Sequence, residues 1–234
     1  MDALNIVPVA SLCYDSDATK VFFTQELTTG TEWKFGSTSP IKITTDSTIE
    51  LNHLVIRYLS PFYQAIDAST SFGSYYRIDA EKDYEIDYGT YIVVGKTWVI
   101  LNHDDAPMVF IISKEYKITQ TYKLVEGKEY YLGRNKDLLI IILDDPSISG
   151  RHLYFRPESK KVTIKDMKSR NGTYLKFSTI NLNWGTRFII RIGVETFLKI
   201  ELKDPKDSAK KLEPSEWKDD LGGLLRVRNK LPQI

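Results

Sequence analysis

The feature that most constrains this chain is an internal repeat: its two halves superimpose at an offset of about 99 residues. Gly36 answers to Gly133, His53 to His152, Asp67 to Asp166, Gly73 to Gly172, Tyr75 to Tyr174 and, after a small insertion, Gly89-Thr90 to Gly185-Thr186. A colinear series of Gly, His and Asp punctuation inside matching apolar segments means that one fold occurs twice. With 234 residues, 42% of them hydrophobic, the chain is long enough to build two cores.

The repeated unit reads as β. Segments 20–24, 48–58, 91–101, 108–113, 138–143, 151–156, 161–166 and 187–202 are rich in Val, Ile, Thr, Tyr and Phe, and clusters of Gly, Asn, Asp, Ser and Pro separate them. No long stretch has clean helical periodicity, so the expected architecture is all-β: two antiparallel sandwiches in tandem. The seam falls at 102–107, a polar run ending in Pro107. This gives a first sandwich over 1–105, a second over 106–203 and a charged tail over 204–234, read as disordered, with docking by 221–227 as the alternative.

Charge and cysteine content narrow the function. Lys and Arg total 32 against 31 Asp and Glu, a net charge of +1, so there is no global attraction to nucleic acid or anionic membrane. Any recognition of anions must be local. Cys13 stands alone, which excludes an internal disulfide framework and fits a reducing, intracellular compartment. The apolar run 6–12 is too short to span a bilayer and lacks the basic start of a signal peptide.

Three loops of the second half carry a constellation. Gly133-Arg134 follows a strand; Ser147-Ile148-Ser149-Gly150-Arg151-His152 leads into the apolar strand Leu153-Tyr154-Phe155; and Ser169-Arg170-Asn171-Gly172-Thr173 reads as a turn centred on Asn-Gly. A guanidinium, a hydroxyl and a side-chain amide are the groups that a phosphate monoester on a peptide needs. No cofactor or metal is expected. Ser149 and His152 fall on opposite faces of an extended segment with no carboxylate to orient the histidine, and the three histidines are scattered singly, which argues against an enzyme.

Taken together, Gly133-Arg134, Ser149-Gly150-Arg151-His152 and Ser169-Arg170-Asn171-Gly172-Thr173 resemble the forkhead-associated (FHA) domain over roughly residues 108–202. The resemblance implies a β-sandwich whose loops at one end bind phosphothreonine peptides. It puts Arg134 and Ser149 on the phosphate, Arg170 beside it, and Asn171 on the peptide backbone. Gly150 and Arg151 complete the phosphopeptide set, although Gly150 departs from the Arg or Asn usual there. His152 would brace the loops, with Gly133 and Gly172 as turn glycines. Residues 135–137 and 177–182 would set the preference downstream of the phosphothreonine. Family members act in signalling in nucleus and cytoplasm, with the nucleus slightly favoured here.

The first half keeps the frame and loses the ligands. Ser37 stands in place of Arg134, Glu50 in place of Ser149 and Phe72 in place of Asn171. Glu50 is expected to repel a phosphate, making this a pseudo-FHA repeat that packs or scaffolds independently of phosphate. Phe62, Tyr63, Phe72, Tyr75 and Tyr76 could form an aromatic contact surface, and a homodimer is one partner such a surface would suit. Lys160, Lys161, Lys165, Lys168 and Arg170 read as a basic rim that draws in a phosphorylated peptide rather than as a nucleic-acid surface.

Overall fold

The computed structural model describes residues 9–13, 23–26, 32–43, 46–59, 62–113, 115–182, 187–194 and 196–202. The expected tail, 204–234 with its segment 221–227, lies outside the described residues, as does Gly185-Thr186. Among the described residues the chain is all-β, with no helix. The strands are β1 (Val9–Cys13), β2 (Phe23–Glu26), β3 (Glu32–Gly36), β4 (Ile41–Lys42), β5 (Leu54–Leu59), β6 (Phe62–Asp67) and β7 (Ser74–Arg77). There follow β8 (Tyr84–Asp87), β9 (Tyr91–Val94), β10 (Thr97–His103), β11 (Pro107–Ile112), β12 (Ile118–Lys123), β13 (Tyr130–Gly133) and β14 (Ile140–Ile141). The last are β15 (Leu153–Pro157), β16 (Lys161–Asp166), β17 (Thr173–Phe177), β18 (Thr179–Leu182), β19 (Arg187–Ile192) and β20 (Thr196–Leu202).

Packing divides the chain into two compact units, Met1–Tyr76 with Phe177–Ile234, and Arg77–Lys176. These units do not follow the sequence seam. Residues 102–107 lie in the hairpin between β10 and β11, well inside the second unit, where Leu101 pairs with Val109 and His103 with Pro107. The polar turn that suggested a boundary is an ordinary hairpin connection between two long strands.

Within the first unit one sheet runs β18-β6-β5-β3-β4, and β7, β19, β20, β1 and β2 lie side by side in the other. Trp33, Phe35, Leu54, Ile56, Tyr63, Ala65 and Leu182 from one sheet meet Ile190, Ile192, Leu198 and Ile200 from the other in a single core. The alternation of buried and less buried positions along β3, β5 and β6 is what a half-buried strand requires. Within the second unit one sheet runs β14-β13-β15-β16-β8, while β17, β9, β10, β11 and β12 form the other. Each unit therefore has the same strand plan. Most pairs are antiparallel, but β3 with β4 and β13 with β14 are parallel.

Local chemistry explains several departures from the expected strands. Segment 138–143 forms strand only at Ile140–Ile141, and 48–58 only from Leu54. In front of each following strand an aspartate folds the chain back: Asp46 accepts the Thr48 N–H at 3.0 Å, and Asp145 the Ser147 N–H at 3.0 Å, as Asx turns do. Segment 187–202 is two strands around a turn at Gly193, whose φ of 61° suits glycine.

Candidate phosphopeptide-binding site

The three motif loops converge at one end of the second unit. The loop after β13 is zipped to the loop before β15: the Arg134 N–H donates to the Ser149 carbonyl at 3.1 Å and the Asn135 N–H to the Gly150 carbonyl at 3.0 Å. Gly133 is required by that approach, since a Cβ there would lie 2.0 Å from the Gly150 carbonyl oxygen. A side chain at Gly150 would in turn meet the Asn135 amide oxygen at 2.5 Å.

His152 braces the same loops from below. It is fully buried; its Nδ1 accepts the Ser149 N–H at 3.0 Å and its Nε2 donates to the Gly172 carbonyl at 3.1 Å. Those roles fix one neutral tautomer, and burial pushes its pKa below the ordinary histidine value despite the nearby Asp166 carboxylate. Asp166 organises the third loop, accepting the Ser169 N–H at 2.9 Å, the Ser169 hydroxyl at 2.6 Å and the Thr173 hydroxyl at 2.6 Å. Gly172 closes that turn with a φ of 77°.

On this frame sit the candidate ligands. Arg134 donates from Nε to the Ile148 carbonyl, while its Nη groups have no partner among the described residues and the side chain is exposed. A guanidinium pinned by one edge presents the other to an oxyanion. The Ser149 hydroxyl accepts the Arg170 N–H at 3.0 Å, so its own proton is free to be donated outward. Arg170 is exposed. Asn171 is buried to 4% exposure, its Nδ2 donates to the Ser147 carbonyl at 2.6 Å, and its Oδ1 has no donor. Arg151 is set apart from this group: it pairs with Asp137 at 3.3 Å and lies over the Tyr131 ring at 5.5 Å.

Sequence reasoning missed Asp145, whose carboxylate holds Ser147 and also accepts the Lys96 N–H at 2.6 Å and the Thr97 hydroxyl at 3.1 Å. The Asp-Pro-Ser run at 145–147 is a turn signature that could have pointed to it. The basic rim is corrected at three of its five residues. Lys161 pairs with Glu85 at 3.6 Å, Lys165 with Asp83 at 2.8 Å and Lys168 with Glu81 at 2.8 Å, so these charges are locally neutralised. Residues 177–182 belong to the first unit.

The corresponding end of the first unit is occupied from within. Glu50 turns its carboxylate onto the loop after β6, accepting the Thr70 N–H at 2.8 Å, the Thr70 hydroxyl at 2.7 Å, the Ser71 N–H at 2.8 Å and the Phe72 N–H at 3.4 Å. Burial alone would raise its pKa, but these donors hold it at about 2. The charge expected to repel an incoming phosphate is instead committed to backbone amides. Of the five aromatic residues proposed as a surface, Tyr63 and Tyr75 are buried and Phe62, Phe72 and Tyr76 partly so.

The family model for the FHA domain matches residues 130–193, so an FHA domain is present in this part of the chain. Comparison with curated proteins gives no match. Among solved structures, one from a structural and functional analysis of phosphothreonine-dependent FHA domain interactions is 20% identical, with 49% of this chain and 96% of that chain covered and a TM-score of 0.21. The FHA-1 domain of Mycobacterium tuberculosis Rv1747 is 9% identical, with 68% of this chain and 97% of that chain covered and a TM-score of 0.24. FHA domains are interaction modules and not enzymes. Among the described residues no group of His, Cys, Asp and Glu could hold a metal ion, and no helix is long and apolar enough to cross a membrane.

Proposed function

We propose that the protein is a phosphothreonine-dependent adaptor in which the end of the second unit carrying Arg134, Ser149, Arg170 and Asn171 reads the phosphopeptide. The observation that carries this reading is the buried Asn171 Oδ1 without a donor, together with an exposed Arg134 guanidinium whose Nη groups have no partner among the described residues. A peptide N–H next to the phosphothreonine would supply the missing donor once the Asn171 amide turns outward, since its Oδ1 is covered in the free protein. The phosphate would take the Arg134 fork, the Ser149 hydroxyl and the Arg170 side chain. Gly150 contributes a close backbone approach. Arg151 stands at the edge with Asp137, and the exposed Leu139 and Leu143 offer apolar contact downstream of the phosphate.

The first half acts as a phosphate-independent scaffold, a reading supported by the internal occupation of its amide loop by Glu50. Two FHA-like repeats in tandem, the first a pseudo-FHA repeat, account for the identical strand plan of the two units. Cys13 as the single thiol, together with a kinase-made ligand, fits an intracellular setting.

Titration of a phosphothreonine peptide library tests the site, with dephosphorylated and phosphoserine peptides as controls. One charge-assisted contact contributes about 1.5 to 3 kcal/mol, so Arg134→Ala should weaken phosphothreonine binding roughly ten- to 150-fold. Equal binding by wild type and Arg134→Ala, or no phosphopeptide bound at all, would return the whole chain to the scaffold reading.

A further inference from the structure

The chain enters the second unit between Tyr76 and Arg77 and leaves it between Lys176 and Phe177. Both crossings fall at the same place in the repeat, between the strand that follows the aspartate-glycine loop and the last three strands. The FHA family match nevertheless runs on to residue 193, past the second crossing and through β18 and β19. By family sequence, then, β18 and β19 belong with β13–β17. By packing they belong with β3–β7: Asn181 pairs with Gln64 and Arg191 with Tyr75. The reciprocal holds for β8 and β9, which pair with β16 and β17: Glu85 opposes Thr163 and Tyr174 opposes Val93.

We infer that the two repeats are interleaved: each sandwich is closed by the last three strands of the other repeat, and the pairing of an acidic β8 with a basic β16 selects this exchanged arrangement. The inference rests on the repeat reading but not on phosphate binding. Charge is the selecting element. Glu85 of β8 meets Lys161 of β16, and in the segment leading into β8 Asp83 meets Lys165 of β16 and Glu81 meets Lys168 just beyond it. Closed within its own repeat, β8 would lie along β6, where the residues in register with those lysines are Ser69, Ile66 and Phe62, and the acids would meet the single Arg57 of the neighbouring β5 in place of three lysines. The lysines would face the repeat counterparts of the acids, Phe177, Thr179 and Asn181, and stay unpaired. In the exchanged form β18 meets β6 through neutral amides, the Gln64 Nε2 donating to the Asn181 Oδ1 at 3.3 Å while Arg57 donates to Gln64. Opposite charges across a strand pair favour it and unpaired like charges disfavour the alternative, which is how register and partner are chosen between strands of similar apolar pattern.

The exchange also decides which residues flank the candidate site. Residues 78–83 take the place that 177–182 were expected to fill, with the Glu81 N–H donating to the Asp166 carbonyl at 2.9 Å. The first repeat therefore contributes chain to the phosphopeptide end of the second.

The test uses the full chain with Cys13→Ser, a protease site placed in the exposed turn 104–106, and pairs of introduced cysteines. E85C/T163C and Q64C/N181C bridge strands paired in the exchanged form; E85C/Q64C bridges strands paired if each repeat closes on itself. After mild oxidation and cleavage, the monomeric E85C/T163C and Q64C/N181C proteins should each run as one species without reductant and as two with it, whereas E85C/Q64C should keep free thiols. A bridge in E85C/Q64C, or free thiols in both exchanged pairs, would overturn the inference. Using two exchanged pairs keeps the test decisive if one variant misfolds.

Discussion

The site is held together by single residues whose substitution has readable consequences. Gly133→Ala puts a methyl group 2.0 Å from backbone oxygen, and backbone cannot rotate away, so a loss of about 1–3 kcal/mol of stability is expected in thermal or denaturant unfolding. Gly150→Ala meets the Asn135 amide, which can turn aside, and should cost less. His152→Ala would strand the Ser149 N–H and the Gly172 carbonyl at a fully buried position, an expected loss of about 1–3 kcal/mol for each group left unpaired.

Two residues give a pH dependence whose sign follows from the direction of their shifts. Glu50 has its carboxyl held at about 2 against an ordinary 4.5, so its contribution is present above 4.5 and is lost as pH falls toward 2. Glu50→Gln removes that dependence, and the stability difference between wild type and variant should shrink steadily across that window. His152 has its pKa lowered, so the folded state binds fewer protons than the unfolded chain and stability declines as pH drops below 6.5. Both effects are read by chemical denaturation at stepped pH.

Strand pairing is the next scale. The three ion pairs between segments 81–85 and 161–168 are mostly exposed, and such pairs contribute about 0–1 kcal/mol each. Their weight lies in selection more than in stability. Reversing them as K161E/K165E/K168E brings like charges together and should lower the melting temperature, and adding E81K/D83K/E85K in the same chain should restore it. Recovery in the six-fold variant separates charge matching from simple damage to β16.

For the molecule as a whole, the interleaving changes what can be excised. Residues 106–203 follow the sequence seam but omit β8, β9 and β10, which bury Ile86, Ile92, Val93, Val94, Trp98, Val99 and Leu101 in the second unit. Residues 77–176 hold every strand of that unit in one continuous segment. The segment 77–176 should unfold cooperatively as a monomer, while 106–203 should not, as judged by gel filtration and calorimetry. Retention of phosphopeptide binding by 77–176 would place the whole reading surface in that unit.

Sequence alone determined the β class and the composition of the motif loops and suggested the repeat, because period-2 apolar runs, Gly and Asn-Gly turns, and Asp and His at fixed offsets are local signals. It identified Arg134, Ser149 and Asn171 as residue types without knowing that Asn171 is buried with one oxygen left over, or that Glu50 folds back onto its own loop. Those facts depend on where loops distant in sequence meet. Only the tertiary structure decided which strands close which sandwich. Within a repeated sequence β8 and β18 carry near-equivalent patterns and either could pair with β6 or β16. The choice between them is a competition of non-local pairings, settled by cross-strand charge and by the cores those strands complete.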